Sequence, residues 1–412
     1  MVYFDWAASA PLTASAAAAM TDAFSVIGNP SSIHAAGQRA KQLVEQAREA
    51  IAGSVGADAI EIVLTGSGTE SVNLAIQGLF RARNADGSRP VVIAPAGEHH
   101  ATVDTLRWLS EHAGADWIEV PISSDGIVSV AAIRAALAAH GDRVALITAL
   151  WANNEVGSVN PVIELVRMAA EAAVPLHLDA IAAYGSVPID FTALRADAPA
   201  GVGLVALSLS AHKIGGPGGI GALVLTRTAK LEPLVHGGGQ QRKLHSGTQN
   251  LLGAVGFAAA AREVTARLAD SETHDRVRSL RDRLIAGVLE TVPGARLCGP
   301  AVAGHGASGD LRLPGNAHFT VEGCQGDSLL FLLDAEGIQV STGSACQAGV
   351  PEPSHVLLAM GYSEAAARGA LRFTLGWSTT EADVDALLAA LPHAVARARA
   401  AGMSERRTSF DR

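Results

Sequence analysis

Short apolar runs alternate with longer helical patterns over the first 260 residues, and this alternation limits the possible folds more than any other feature of the chain. The runs lie at 60–65, 91–96, 144–150, 175–180, 204–210 and 221–226. They are apolar on both faces, which is typical of strands in a sheet that helices cover on each side. Amphipathic patterns lie between them, at 36–53, 101–113, 129–139 and 161–173. The sequence therefore predicts a doubly wound α/β sheet that is mostly parallel.

The pattern changes after about residue 260. A single long helical pattern covers 254–290, and a further one lies near 380–401. Short strand patterns lie at 318–323, 337–342 and 371–376. We therefore expect a large α/β domain over 15–260 and a smaller α+β domain formed by 1–14 and 261–412.

Charge and hydropathy exclude several classes of partner. The 412 residues carry a formal charge of −9, and no Lys/Arg-rich run could follow a nucleic-acid backbone. The N-terminal stretch MVYFDWAASAPL lacks the basic and apolar regions of a signal peptide. No apolar stretch reaches the roughly 18–20 residues that cross a bilayer. We expect a cytoplasmic protein that binds neither nucleic acid nor membrane.

The three cysteines, Cys298, Cys324 and Cys346, show no C-x-x-C spacing, so neither a disulfide framework nor a zinc site is expected. An isolated cysteine is most often a small buried hydrophobe, and we interpret Cys298 and Cys324 in that way. Cys346 differs because its setting, STGSACQAG followed by VPEPS, is small, polar and rich in Gly and Pro. Such a setting is typical of an exposed loop.

Two segments after strands have the composition of a phosphate-bearing cofactor site. Lys213 follows the run 204–210 directly and precedes the Gly-rich turn IGGPGGIG, which is a suitable position for a lysine that forms a Schiff base. In LTGSGTESVNLAI a Gly/Ser turn leads into a helix near Thr69, and helix starts bind phosphate. The turn lacks the G-K-[ST] of a Walker A loop and the G-x-G-x-x-G of a dinucleotide site.

Further polar residues follow other strands. Asp179 ends the run 175–180, the pair His99 and His100 follows 91–96, and Asn154 follows 144–150. Each has an ordinary structural interpretation, such as a helix cap, a solvated side chain or a core histidine. Because the carboxyl ends of parallel strands share one sheet edge, however, we expect these side chains to line one crevice.

Taken together, these motifs resemble those of the cysteine desulfurases, which belong to class V of the fold-type-I pyridoxal-phosphate enzymes. The branch with the greatest similarity supplies sulfur for iron–sulfur clusters and nitrogenase. The matching stretches are FDWAASAP, GNPSSIH, GTESVNLAI, EHHA, NNEVG, HLDA, SAHKIGGPGGIGAL, HGGG, SGTQN, STGSACQAG, EPSHVL and LRFTLG. They cover nearly the whole chain in the family's order and spacing.

The resemblance implies a role for each matched residue. Lys213 would bind pyridoxal 5'-phosphate covalently, Asp179 would pair with the pyridine nitrogen, and His99 would stack on the ring and move protons. The residues implied to hold the phosphate are Gly68, Thr69, Ser210, His212 and Thr248, the last reaching in from the second subunit of a homodimer. Asn154 would contact the ring oxygen or the substrate. Arg372 would bind the substrate carboxylate, which suits its planar guanidinium.

Cys346 would be the nucleophile of the implied reaction. It would take sulfur from L-cysteine as a persulfide, release L-alanine and pass the sulfur to an acceptor protein such as an iron–sulfur scaffold. The segment between Cys346 and Pro353 has the longer form of the cluster-assembly branch.

Several positions depart from the family pattern. Ala182 stands where a glutamine usually donates to the ring oxygen, and His245 stands where an arginine commonly precedes Ser-Gly-Thr. Two alternatives therefore stay open. One is a related pyridoxal lyase or aminotransferase, acting for instance on selenocysteine or cysteine sulfinate. The other is a desulfurase-like binding scaffold with reduced activity.

Overall fold

The computed structural model describes residues 2–195, 198–302, 311–343 and 352–401, so Cys346 lies outside the described residues. The strands are β1 (Val2–Tyr3), β2 (Ile62–Thr65), β3 (Val91–Pro95), β4 (Asp116–Val120), β5 (Val144–Leu150), β6 (Pro175–Asp179), β7 (Gly203–Ser210), β8 (Gly221–Leu225), β9 (Ala295–Cys298), β10 (Asn316–Val321), β11 (Ile338–Gln339) and β12 (Ala370–Thr374). The helices are α1 (Ala14–Ala23), α2 (Ala35–Gly53), α3 (Gly68–Arg83), α4 (His100–His112), α5 (Val130–His140), α6 (Val162–Glu171), α7 (Phe191–Leu194), α8 (Leu251–Ala269), α9 (Ser271–Thr291), α10 (Gly326–Asp334), α11 (His355–Ala359), α12 (Glu364–Arg368) and α13 (Glu381–Ala400). Among these helices none has the length and apolar content needed to cross a bilayer.

A seven-stranded sheet in the order β2-β8-β7-β6-β5-β3-β4 forms the centre of the molecule. Strands β4, β3, β5, β6 and β7 run parallel, whereas β8 is antiparallel to both β7 and β2. Every residue of β5, β6 and β7 is buried, because helices cover both faces of the sheet. The prediction of a mostly parallel, doubly wound α/β sheet is confirmed.

A smaller antiparallel sheet, β12-β10-β9, packs against helices α9 and α10, and α13 contributes to the same hydrophobic core. The predicted single helix over 254–290 is wrong, because the chain leaves helical geometry at Asp270. The Asp270 carboxylate accepts from the amide of Glu272 at 3.1 Å and so starts α9 as a new helix. The predicted strand 337–342 is also shorter, since only Ile338–Gln339 forms a regular strand, parallel to β1, while Ser341 forms an isolated bridge with Arg372.

The segment after β5 joins the two sheets through close backbone contacts. Gly157 has a φ of +77°, and a Cβ added there would lie 2.5 Å from Cγ of Asn316. The buried guanidinium of Arg312 donates to the carbonyls of Val156 and Cys298, so it links the same segment to β9. This junction fixes the small sheet relative to the carboxyl edge of the large one.

We expect Gly157→Ala to destabilise the protein more than Gly87→Ala. The two glycines have nearly the same positive φ, +77° and +75°, but nothing lies within 4 Å of a Cβ at Gly87. The positive φ alone costs about 1–2 kcal/mol for alanine, and the contact with Asn316 adds about 1–3 kcal/mol of overpacking. Denaturation midpoints of the two variants measure the difference, and equal midpoints would show that the junction tolerates an added methyl group.

Candidate active site

A cavity of about 210 Å³ lies at the carboxyl edge of the large sheet. It is lined by Ser67, Gly68, Thr69, His99, Leu150, Asn154, Asp179, Ile181, Ala182, Ser210, His212 and Lys213. Eight predicted site residues are among them, namely Gly68, Thr69, His99, Asn154, Asp179, Ser210, His212 and Lys213. The strand ends therefore do converge on one crevice.

Lys213 provides the amine of this cavity. It lies in a short helical turn directly after β7, and its Nζ donates to the carbonyls of Ala7 and Ala8, the latter at 3.1 Å. Burial, followed by the positive charge of Arg372, lowers the pKa of Lys213 from 10.5 to about 8. A neutral, nucleophilic amine is therefore accessible near physiological pH.

Asp179 provides a buried carboxylate at the end of β6. Its Oδ1 accepts from the amide of Ile181 at 2.9 Å. Burial raises the pKa of Asp179 to about 6, and this hydrogen bond and the charge of Lys213 act in the opposite direction. No arginine or lysine forms an ion pair with Asp179 within the described ranges. A positively charged ligand atom beside the carboxylate would stabilise its ionised form.

A hydrogen-bonded chain inside the sheet supports the strand that carries Asp179. Nδ1 of His177 lies 2.8 Å from the Thr148 hydroxyl, and its Nε2 lies 2.8 Å from the Ser208 hydroxyl. Burial lowers the pKa of His177 to about 3, so the ring is neutral. The three side chains connect β5, β6 and β7, which fixes these strands where their ends form the site.

The start of α3 also lines the cavity. Ser67 caps this helix by accepting from the amide of Glu70 at 3.0 Å. A Cβ added to Gly68 would lie 2.4 Å from Cδ1 of Ile181 and 3.0 Å from Cβ of Ser210, so glycine lets the chain pass closely here, whereas alanine would displace the Ile181 side chain. The Ser210 hydroxyl is buried and has no hydrogen-bond partner in the described part of the chain. Amide donors, a hydroxyl and the positive helix end together suit an anion.

His99 lies on the wall of the cavity as the N-cap of α4. Its Nδ1 accepts from the amide of Ala101 at 3.0 Å, so a neutral ring carries its proton on Nε2. Burial, then the charges of Lys213 and His100, lower the pKa of His99 to about 4. The imidazole is therefore uncharged at physiological pH.

Two predicted site residues lie outside the cavity lining. Thr248 is exposed on the loop before α8. In the same loop Nε2 of His245 lies 2.6 Å from Oε1 of Glu70, and this bond raises the pKa of His245 and lowers that of Glu70. The histidine thus connects the Thr248 loop to the helix that forms the anion end.

Arg372, the second of these residues, is buried on β12. Its Nη1 donates to the Asn154 carbonyl at 2.9 Å, and its Nη2 pairs with Oδ1 of Asp5 at 2.9 Å. Asn154 also lines the cavity, so the guanidinium adjoins the site. A carboxylate ligand would compete with Asp5 for Arg372.

Described residues on either side of 344–351, the range that contains Cys346, contact residues at or beside the site. Before it, Ser341 exchanges backbone hydrogen bonds with Arg372. After it, the Ser354 hydroxyl donates to the carboxylate of Glu155, and Nε2 of His355 lies 2.8 Å from the Glu98 carbonyl oxygen.

Sequence reasoning missed several residues that support the site. They are Asp5, Glu98, Glu155, Ser354 and His355. All lie in or beside family motifs, but a motif match does not reveal which side chain is buried against which.

Comparison with known proteins gives consistent results. The Aminotransferase class-V model matches residues 2–387. The "IscS-like cysteine desulfurase" of Mycobacterium tuberculosis (strain ATCC 25618 / H37Rv) is 48% identical over 98% of both chains. Among solved structures, a "NIFS-LIKE PROTEIN" superposes with a TM-score of 0.85 at 30% identity, covering 96% of this chain and 99% of that one. "SspA in complex with cysteine" has a TM-score of 0.76 at 31% identity, with 92% and 100% covered. The chain therefore belongs to the aminotransferase class-V family and, within it, to the cysteine desulfurases.

Proposed function

We propose that this protein transfers sulfur from L-cysteine to Cys346 as a persulfide and releases L-alanine, with pyridoxal 5'-phosphate as its cofactor. The supporting observation is that Lys213, Asp179 and the start of α3 line one cavity. The 48% identity to an IscS-like cysteine desulfurase over nearly the whole chain supports the same reaction.

The residues of the cavity fit this cofactor. Gly68, Thr69, Ser210 and His212 would bind the phosphate, because they combine helix-end amides with a hydroxyl that lacks a partner among the described residues. Asp179 would bind the protonated pyridine nitrogen, which supplies the missing positive charge. Ala182 cannot donate a hydrogen bond to the ring oxygen. Asn154, whose amide side chain also lines the cavity, would take that role.

The protein groups then act on an amino acid held in the cavity beside Lys213. When bound, pyridoxal phosphate withdraws electrons from the substrate Cα. Arg372 orients the substrate carboxylate, and the free amine of Lys213 accepts the Cα proton. His99, neutral and carrying its proton on Nε2, can donate and accept a proton at the cavity wall. Asp179 keeps the ring nitrogen charged throughout.

Sulfur transfer requires no external oxidant. The thiolate of Cys346 attacks Sγ of the substrate, so an S–S bond forms and the Cβ–Sγ bond breaks. The electron pair of the broken bond stays with the substrate carbons. Cβ takes up one proton, Lys213 returns a proton to Cα, and the product leaves as alanine. The persulfide keeps the transferred sulfur for an acceptor protein, such as an iron–sulfur scaffold.

We propose a cytoplasmic homodimer in which Thr248 of one subunit reaches the phosphate of the other. Thr248 is exposed and does not line the cavity of its own subunit. Phe24, Ile27 and Ile33 are 71%, 83% and 92% exposed, and a second copy would cover such apolar side chains. We also propose the large domain over 15–260 and the small domain over 1–14 and 261–412.

Incubation with L-cysteine tests the proposed function. We expect alanine as the product and a gain of about 32 Da, one sulfur atom, on the peptide that contains Cys346. Cys346→Ala should abolish both, whereas Cys298→Ala and Cys324→Ala should retain both, because these two thiols are buried. Release of selenide from selenocysteine, or of sulfite from cysteine sulfinate, by the Cys346→Ala variant would identify a lyase. A keto-acid product would identify an aminotransferase. Cofactor-free protein that still binds a cluster scaffold would identify a binding protein.

We expect Arg372→Lys to lower kcat/KM for L-cysteine by about 10–100-fold, mainly through KM. A lysine cannot bind the substrate carboxylate through two parallel hydrogen bonds, and losing a charge-assisted bond costs about 1.5–3 kcal/mol. Arg368→Lys is the matched control, since Arg368 pairs with Glu364 on the surface of α12. If both variants retain wild-type KM, Arg372 does not bind the carboxylate.

Cofactor uptake by the apoprotein should depend on pH through Lys213. Only the neutral amine attacks the aldehyde, and the pKa of Lys213 is lowered from 10.5 to about 8. The uptake rate should therefore rise about tenfold per pH unit below pH 8 and level off above it. Visible absorbance recorded from about pH 6 to about pH 10 measures this rate. A rate that keeps rising up to about pH 10 would mean that the amine keeps its ordinary pKa and is not buried in solution.

A further inference from the structure

Glu155 forms a hydrogen bond that connects the segment after β5 with the residues after Cys346. Its carboxylate is buried and accepts a short hydrogen bond from the hydroxyl of Ser354, which is also buried. Ser354 in turn caps α11, where its Oγ accepts from the amide of Leu357 at 3.1 Å. One hydroxyl therefore both starts a helix of the small-sheet region and attaches it to the large-sheet region.

Hydrogen bonds to both backbone groups of Glu155 fix its position. Its amide donates to Oδ1 of Asn153 at 2.9 Å, and its carbonyl accepts from Nδ2 of Asn316 at 2.9 Å. The preceding carbonyl, that of Asn154, accepts from Arg372. The carboxylate that binds Ser354 is thus immobilised beside the residues proposed to bind the substrate.

A second, independent contact attaches the next residue. Nε2 of His355 lies 2.8 Å from the carbonyl oxygen of Glu98, directly before His99. The imidazoles of His355 and His100 lie 4.7 Å apart. The carboxyl side chain of Glu98 accepts from the amide of Leu150 at 2.8 Å, so this contact also leads to the end of β5.

We propose that Glu155 and Ser354 are positioning residues for sulfur transfer. Their hydrogen bond holds Ser354, the residue after Pro353, beside the cofactor cavity. The chain that follows Cys346 is therefore attached at the same place in every turnover. The inference rests on the proposed role of Cys346. Neither residue lines the cavity, and both act through the placement of the nucleophile rather than by contact with substrate.

Ser354→Ala and Ser363→Ala form a matched pair that tests this role. Both remove the N-cap hydroxyl of a short helix in the same part of the chain, since Ser363 caps α12 at 3.3 Å from the amide of Ala366. Ser354→Ala should lower the melting temperature more than Ser363→Ala, because it also removes a partner of the buried Glu155 carboxylate, so kcat is compared well below both melting temperatures. Only Ser354 bonds to Glu155, so only Ser354→Ala should lower kcat, by about tenfold or more. KM for L-cysteine and cofactor content should change by less than about twofold.

Variants of Glu155 complete the test. Glu155→Ala should lower kcat as Ser354→Ala does, whereas Glu155→Gln should recover most of it, because a glutamine oxygen also accepts from Ser354. The double variant Glu155→Ala/Ser354→Ala should be no slower than either single variant. The reaction rate of Cys346 with iodoacetamide in the apoprotein should change in the same variants, which measures placement without turnover.

The outcomes separate this inference from the proposed function. Absence of a persulfide on Cys346 in the wild type would refute the proposed function. A wild-type persulfide together with equal kcat values for Ser354→Ala and Ser363→Ala would refute the positioning role alone. Multiplicative losses in the double variant would show that the two residues act separately.

Discussion

Burial of a lysine amine and an aspartate carboxylate in one cavity is the constraint on which the site depends. Burial raises the pKa of Asp179 to about 6 and lowers that of Lys213 to about 8, so the cavity disfavours both charges. In the proposed function each group would regain stability by binding an atom of the cofactor. Asp179 would bind the ring cation, and Lys213 would bind the aldehyde carbon. The sheet holds both groups in place, because β6 and β7 are fully buried and are connected through the side chain of His177.

The parallel sheet was predictable because its central strands are apolar on both faces. The edge strand β4 was missed because its residues, DWIEV, are partly exposed and include two acids. The long helix predicted for 254–290 failed for a different reason: helical periodicity continues through residue 270, but Asp270 competes for backbone amides there and starts a new helix. Apolar patterning thus predicts buried elements better than it predicts edges and breaks.

The site residues at strand ends were also predictable, since parallel strands place their carboxyl ends together. The supporting contacts were not. Arg372 and Asp5 are 367 residues apart in the chain, and Ser354 and Glu155 are 199 apart, so no local spacing reveals either pair. The predicted role of Thr248 cannot be judged from one chain, because it requires a second subunit.

The site of covalent cofactor attachment tests the central claim most directly. The chain contains only four lysines, Lys41, Lys213, Lys230 and Lys243, and three of them are exposed. Borohydride reduction of the purified holoprotein, followed by peptide mass mapping, identifies the lysine that carries pyridoxal phosphate. We predict the full cofactor mass on the Lys213 peptide and none on the other three. Attachment at an exposed lysine, or cofactor lost without covalent attachment, would contradict the account.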